Sequence, residues 1–391
     1  MKIAVVDPIT RTPLSYFKIP RIKTNDGIMI FKLAEFLAGR GHEVDLFISD
    51  AYQPQEPDRV APGVRCIYLP TRLKRIFLPS LLPFLPGLFT ALKKGDYDSV
   101  VSAEAFQFTT FLAALAKCFS RKKFRLLVWQ ELARHQRFCK ELPSRFFYAV
   151  ILKGMIEGQI DLYVPRGALA RKFLLDLGLP PAKVTAPIPH GIDRAVFFPD
   201  KDVVRGNYIF SPSRLVQAKG IDILLQAFAM VHQERGDLRL VIQGEGLLLA
   251  EYQGLARGLG VGSHVVFDTA RIPHAQMRER YQHALLSVFS SRNDLMFFSV
   301  MESVACGTPV ILSTGADIHF DFMDNKGGRV FPSGDPASLA QVILSLLKDK
   351  DLLRRTVEES IVKSREYFND TVYERLNQLL VGLNVGKDVN V

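Results

Sequence analysis

The chain has 391 residues, 48% hydrophobic and 23% charged, a usual globular composition that excludes disorder, collagen and coiled coil as descriptions of the whole chain. Its length suggests two or three domains, and we expect two. The formal net charge of +10 favours an anionic partner, either nucleic acid, an anionic lipid surface or a phosphorylated small molecule.

Short apolar runs alternate with helix-length segments along the chain, which is typical of βαβ units and parallel sheets. In the first half, a helix is predicted at 27–40 and strands at 3–6, 43–48, 99–102, 125–129 and 162–164. In the second half, helices are predicted at 221–233 and 250–259, and a further helix is predicted to begin with 301–306. Strands are predicted there at 208–211, 238–243, 265–267, 286–289 and 309–312. The polar, turn-rich stretch 198–206 separates the halves.

Residues 76–92 form the most apolar stretch and have basic residues on both sides. Three prolines within it would break a helix that spans a membrane. Two interpretations remain, a loop and helix packed on the N-terminal sheet or an apolar surface lying on a membrane. A second basic cluster at 121–125 keeps binding to anionic lipid open as a hypothesis.

The sequence contains four cysteines: Cys66, Cys118, Cys139 and Cys306. No two form a C-x-x-C pair, which argues against a disulfide framework and a zinc knuckle and fits a reducing compartment. The first apolar run, 3–6, is too short for a signal peptide, and Asp7 interrupts it. We therefore expect a cytoplasmic protein.

Residues 213–220 read Ser-Arg-Leu-Val-Gln-Ala-Lys-Gly and follow the predicted strand 208–211. Arg214 and Lys219 can both point into the crevice at the carboxyl edge of the sheet, where open α/β sheets bind ligands. Paired cations at that place suit a diphosphate. On spacing alone, two solvated loop cations are the simpler interpretation.

Two further segments lie near predicted strand ends. Residues 243–246, Gln-Gly-Glu-Gly, lack the third glycine of G-x-G-x-x-G and indicate only a tight turn or a close backbone approach. In residues 294–310, Glu302 would lie in the first turn of a helix whose N–H groups face the crevice and favour a phosphate. Glu302 could be a helix-start acid or could accept hydrogen bonds from ribose hydroxyls.

In this order, the motifs resemble those of the retaining GT-B glycosyltransferases of family 4. Ser213 stands where the family's "GRL…KG" motif has glycine, 244–246 match "GdG", and 302–310 match "EAmacGtPVV". Five segments carry the resemblance: 190–199, 213–220, 244–246, 302–310 and 334–340.

The resemblance implies an α/β protein of the GT-B class, with two Rossmann-like domains facing across a cleft. Residues 1–203 would form the acceptor side, 204–370 the nucleotide-sugar donor side, and 371–391 a helix that crosses back. The implied activity is retaining, metal-independent transfer of a sugar from a UDP- or GDP-sugar to a saccharide or lipid-linked acceptor in glycan biosynthesis. The basic, partly apolar N-terminal half suggests that the cytoplasmic protein lies peripherally on the inner face of a membrane. No cofactor is expected beside the nucleotide-sugar substrate.

The resemblance also implies roles for individual residues. Arg214 and Lys219 would hold the donor diphosphate and stabilise the leaving group, Asp294 would contact the transferred sugar, and Glu302 would bind the ribose. The further donor-binding candidates are Gly27, Ser213, Gly244, Glu245, Phe298, Ser299 and Val300.

Several positions depart from the family pattern. Asp294 replaces a glutamate and Phe297 replaces a glycine, while Glu104 and Glu131 stand near positions where the family often has histidines. These departures leave two alternatives open, a catalytically degenerate GT-B subunit with a binding or scaffolding role and a sugar-nucleotide epimerase. Nucleic-acid binding is disfavoured because the basic residues are not interleaved with a stacking platform.

Overall fold

The computed structural model describes residues 1–10, 23–25, 28–136, 138–200, 202–293 and 298–382. The chain divides into two compact units. Unit 1 comprises Met1–His190 with Val372–Val391, and unit 2 comprises Gly191–Thr371. Each unit contains a six-stranded sheet.

Unit 1 is built on a parallel sheet whose strands are β1 (Lys2–Val6), β2 (Glu43–Ser49), β3 (Val64–Leu69), β4 (Ser99–Ala103), β5 (Arg125–Gln130) and β6 (Leu162–Pro165). Their order is β3-β2-β1-β4-β5-β6, and every pair is parallel. Its helices are α1 (Met29–Gly39), α2 (Gly87–Lys94), α3 (Phe108–Phe119), α4 (Leu142–Phe146), which continues as a π-helix (Phe147–Ile156), and α5 (Ala168–Asp176).

Unit 2 repeats this arrangement with β7 (Tyr208–Pro212), β8 (Arg239–Gln243), β9 (Val265–Asp268), β10 (Leu286–Phe289), β11 (Val310–Ser313) and β12 (Gly328–Phe331). The order is β12-β11-β10-β7-β8-β9, again all parallel. The helices are α6 (Ile221–Glu234), α7 (Leu249–Gly258), α8 (Met277–His283), α9 (Phe298–Ala305), α10 (Pro336–Lys348), α11 (Lys350–Lys363) and α12 (Asn369–Leu380), the last of which belongs to unit 1 from Val372 onward.

The sequence explains why these elements form. The central strands of each sheet are continuous apolar runs because helices cover both faces. Helix α1 buries Ile30, Phe31, Ala34 and Leu37, at the spacing of one helix face. Helix α12 buries Leu376 and other apolar residues in the same core as β1 and β2. The α/β prediction is therefore confirmed.

Some local predictions need correction. Strand β3 was not predicted because it lies at the sheet edge, is only partly buried and has no clear apolar alternation. Within the apolar stretch 76–92, Leu85, Leu88 and Leu92 are buried in the core of unit 1, which confirms the packed interpretation for that part. The described part of α9, Phe298–Ala305, already includes three residues before the predicted start.

Candidate functional site

A small pocket lies at the carboxyl edge of the unit 2 sheet. In a sheet of this order the ligand crevice opens between the first and fourth strands, where the chain reverses its winding direction. Those strands are β7 and β10 in unit 2. The pocket has a volume of about 40 Å³ and is lined by Ser211, Pro212, Ser213, Lys219, Phe289, Ser290, Ser291, Ser299, Val300 and Ala316.

The loop that carries Lys219 is braced from β10. The Ser290 hydroxyl donates hydrogen bonds to the carbonyl oxygens of Gly220, at 2.8 Å, and Lys219, at 3.1 Å. Gly220 has a φ of +62°, and a Cβ at that position would overlap the Ser290 carbonyl oxygen. Arg292 binds both carboxylate oxygens of Asp222, at 2.8 and 2.6 Å. Its hydrogen bonds lower the pKa of Asp222 and tie the end of β10 to α6.

The Gly-Glu-Gly segment after β8 has a structural explanation. Gly244 has a φ of +148°, and a Cβ there would overlap the Ser213 carbonyl oxygen. The Leu215 N–H donates to the Glu245 carbonyl oxygen at 3.0 Å, so the loops after β7 and β8 are joined through their backbones. The Glu245 side chain is largely exposed and forms an ion pair with Arg271.

The N-terminus of α9 contributes Ser299 and Val300 to the pocket. Because the helix begins at Phe298, Glu302 lies in its second turn, not the first as predicted. The Glu302 carboxylate is buried. It lies 2.6 Å from Nε2 of His274 and accepts a hydrogen bond from the Tyr281 hydroxyl at 2.9 Å. Tyr281 lies in α8 and His274 lies in the segment before it. No sequence motif indicated either residue.

The structure brings four of the predicted donor-binding residues together, since Ser213, Lys219, Ser299 and Val300 line one pocket. Arg214 is exposed and is not among the lining residues. The lining likewise excludes Gly244, Glu245, Phe298 and Glu302. Gly27, Asp294 and Phe297 lie outside the described residues.

A second cluster of polar residues lies at the carboxyl edge of the unit 1 sheet. Asp7, Glu104, Glu131 and Arg166 directly follow β1, β4, β5 and β6, which are adjacent strands. Arg166 Nη1 donates to Glu131 Oε2 at 2.7 Å, and its guanidinium lies over the Trp129 ring. From the sequence, Asp7 was named only as the residue that interrupts the first apolar run, and Arg166, two residues after the predicted strand 162–164, was not identified as a candidate.

The ionisable side chains of this cluster have pKa values that are shifted in different directions. Burial alone would raise the pKa of Glu131, but its hydrogen bond with His190 and the charge of Arg166 outweigh burial and lower it to about 2. Burial raises the pKa of Asp7 to about 6 and that of Glu104 to about 7. Burial also lowers the pKa of His190 to about 4, so the imidazole is neutral near pH 7. At Asp7 and Glu104, burial outweighs the opposing effect of the Arg166 charge, so both carboxyl groups hold their protons more strongly than exposed carboxyl groups do.

Two family models match most of the chain between them. Residues 28–189 match the glycosyl transferase 4-like domain, and residues 195–362 match the glycosyl transferases group 1. The chain belongs to this glycosyltransferase family.

Similar proteins agree with that membership. A D-inositol 3-phosphate glycosyltransferase from Catenulispora acidiphila is 27% identical over 346 residues, which are 82% of this chain and 82% of that protein. A GDP-mannose-dependent phosphatidylinositol monomannoside mannosyltransferase from Mycolicibacterium smegmatis is 30% identical over 188 residues. This match and two other curated matches cover 43% to 52% of this chain but only 21% to 48% of the relatives' own length.

Solved structures show the same fold. Sucrose-phosphate synthase from Thermosynechococcus elongatus superposes with a TM-score of 0.69 at 21% identity, over 97% of this chain and 98% of that chain. The Anabaena protein HepE, solved in complex with UDP, superposes with a TM-score of 0.70 at 15% identity, over 98% and 100%. The fold is therefore GT-B, as predicted.

Proposed function

We propose that this protein transfers a sugar from a UDP- or GDP-sugar to a saccharide or lipid-linked acceptor in glycan biosynthesis. The observation that carries the proposal is the unit 2 pocket between β7 and β10, where Lys219 and the N-terminus of α9 line one cavity. A lysine ammonium and the N–H groups at a helix N-terminus are both suited to a diphosphate. The Anabaena protein HepE, which has the same fold, was solved in complex with UDP and with UDP-glucose. These complexes support a nucleoside-diphosphate sugar as the donor.

The proposed chemistry is metal-independent and retains the anomeric configuration. As the bond between the sugar and the diphosphate breaks, negative charge grows on the departing diphosphate. Lys219 and Arg214 would meet that charge, and the bracing of their loop by Ser290 keeps the backbone near Lys219 in place before the reaction. In the ground state, Glu302 is occupied by His274 and Tyr281, so a ribose contact with Glu302 would require one of those bonds to open.

Nucleotide binding tests the donor site. At about a hundred times its dissociation constant, UDP or GDP should add about 2.7 kcal/mol to the stability of the folded protein, a shift that thermal unfolding detects readily. Lys219→Ala should lose the shift. Lys326→Ala, which removes an exposed lysine of unit 2, should keep it. If none of UDP, GDP and their common sugars stabilises the wild-type protein, the assignment of the donor site is wrong.

We further propose that unit 1 rests on an anionic membrane at its cytoplasmic face. Helix α4 and the π-helix present exposed apolar side chains, including Phe146 and Met155, beside the exposed basic residues Arg145 and Lys153. This combination is typical of helices that lie in the membrane interface. No helix within the described ranges is long and apolar enough to span a bilayer.

Vesicle binding tests this surface. The double variant Phe146→Ser and Met155→Ser should bind phosphatidylglycerol vesicles at least about tenfold more weakly, since each fully buried apolar side chain contributes roughly 1.5–3 kcal/mol. The matched control is Phe320→Ser with Met323→Ser in unit 2, because Met323 and Met155 are equally exposed, at 60%. Equal binding by the two double variants would contradict the proposed surface.

A further inference from the structure

The two oxygens of the buried Glu302 carboxylate have partners that differ in exposure. Oε2 accepts its hydrogen bond from the hydroxyl of Tyr281, a fully buried residue of α8. Oε1 lies 2.6 Å from Nε2 of His274, whose side chain is 70% exposed. A carboxylate oxygen only accepts hydrogen bonds, so Nε2 is the donor. One side of the carboxylate therefore faces the core of unit 2, and the other side faces its surface.

His274 closes the surface side of this carboxylate. With both partners in place, only 4% of the Glu302 side chain is exposed. The His274 ring also packs edge-on against the buried ring of Phe197, with 5.0 Å between the ring centroids, so the imidazole has a defined position. Tyr281 and Phe197 both belong to the core of unit 2. A group that arrives from solvent can therefore reach the carboxylate only after the exposed imidazole has moved.

Glu302 lies close to the pocket in which we propose that the donor binds. Ser299 lines that pocket, and Glu302 follows it by three residues in α9, which places both on one face of the helix. Three residues rise about 4.5 Å along a helix, so a nucleotide whose diphosphate lies beside Ser299 and Lys219 has its ribose within reach of the carboxylate. Ribose hydroxyls can donate hydrogen bonds to Oε1 in place of the His274 imidazole.

We propose that His274 is a specificity-determining residue of the donor site, which covers Glu302 until the ribose hydroxyls of a nucleotide displace it. The inference rests on the proposed function and names a residue that controls its donor site. Binding exchanges one hydrogen bond of Oε1 for another, so the buried carboxylate oxygen keeps a partner. A nucleotide without these hydroxyls offers no replacement, and the imidazole stays on the carboxylate.

This exchange makes the His274 imidazole a competitor of the donor ribose. A ribonucleotide must break the hydrogen bond between His274 and Glu302, so its affinity is reduced by what that bond contributes to the unbound protein. Removal of the imidazole should therefore tighten the binding of ribonucleotides. A residue that only kept Glu302 in position would have the opposite effect, because its removal would let the carboxylate move away from the ribose.

Calorimetric titration of the full chain with UDP, GDP and their 2′,3′-dideoxy forms tests the proposal. His274→Ala should bind the ribonucleotide about three- to tenfold more tightly than the wild type, the usual contribution of one hydrogen bond, and the dideoxy form equally well. His274→Gln, whose amide can still donate to Glu302, should keep the wild-type values. The matched control is His283→Ala, which removes an exposed histidine of α8 that contacts the Val204 carbonyl oxygen and should change neither affinity.

Unchanged or weaker binding of the ribonucleotide by His274→Ala overturns the proposal, and so does an equal gain for the dideoxy form. His274→Ser removes the same donor and decides the question if the alanine variant does not fold. If the wild-type protein binds neither UDP nor GDP, the proposed donor site is wrong and the inference is wrong with it. If the wild type binds one of them and His274→Ala binds it no more tightly, only the role of His274 is contradicted.

Discussion

Lys219→Ala and Arg214→Ala should each lower the turnover of the donor by about a hundred- to a thousand-fold, the usual cost of removing one group that stabilises charge in the transition state. Both residues lie in the loop after β7, and Lys219 lines the pocket. The measurement is the release of nucleoside diphosphate at saturating donor. The loss should appear in kcat, because charge on the departing diphosphate is greatest in the transition state.

A charge-matched control separates this effect from a general change in the charge of unit 2. Arg239 is an exposed arginine at the start of β8, at the opposite edge of the same sheet. Arg239→Ala should therefore turn over at the wild-type rate and unfold normally. Wild-type turnover by both Lys219→Ala and Arg214→Ala would overturn the assignment of these residues.

Glu104→Gln should stabilise the folded protein by on the order of 2–3 kcal/mol at pH 8, and the gain should disappear below about pH 4.5. Burial raises the pKa of Glu104 from 4.5 to about 7, so the folded state resists its ionisation. Wild-type stability is then lost as the pH rises from about 4.5 to 7. Glutamine does not ionise, so the variant does not incur this loss.

Other titratable and charged groups face Glu104, so the stability difference must be measured at several pH values. They are Glu131 and Arg166, at the ends of β5 and β6, and Tyr148 in the π-helix. Urea unfolding at several pH values should give a difference between variant and wild type that grows from pH 4.5 to pH 7. A difference that is independent of pH would show that Glu104 is ionised in the folded protein.

Glu131→Gln should change the stability of the folded protein in the opposite direction from Glu104→Gln. The pKa of Glu131 is lowered to about 2, so its contribution is present above about pH 4.5 and is lost as the pH falls toward 2. Removing this carboxylate also leaves Arg166 buried without its ion-pair partner, which typically costs 3–5 kcal/mol. This variant should therefore be much less stable than the wild type at neutral pH.

The fold could be predicted from sequence because its signals are local. Apolar runs at the central strands and the one-face spacing of α1 identify the elements, and their alternation identifies parallel sheets. The edge strand β3 was missed because partial burial weakens the apolar pattern. The predicted start of α9 lies three residues inside the described part of the helix, since helix boundaries depend on capping and packing more than on periodicity.

By itself, the sequence determined the α/β class, the loop of Arg214 and Lys219 and the family, through motifs whose residues are neighbours in the chain. Only the tertiary structure showed that Ser299 and Lys219 line one pocket and that Glu302 is engaged by His274. It alone brought Asp7, Glu104 and Arg166, which lie far apart in the chain, to one sheet edge. Parallel strands joined by crossovers align their carboxyl ends regardless of chain separation, and burial at that edge then sets the pKa of each group.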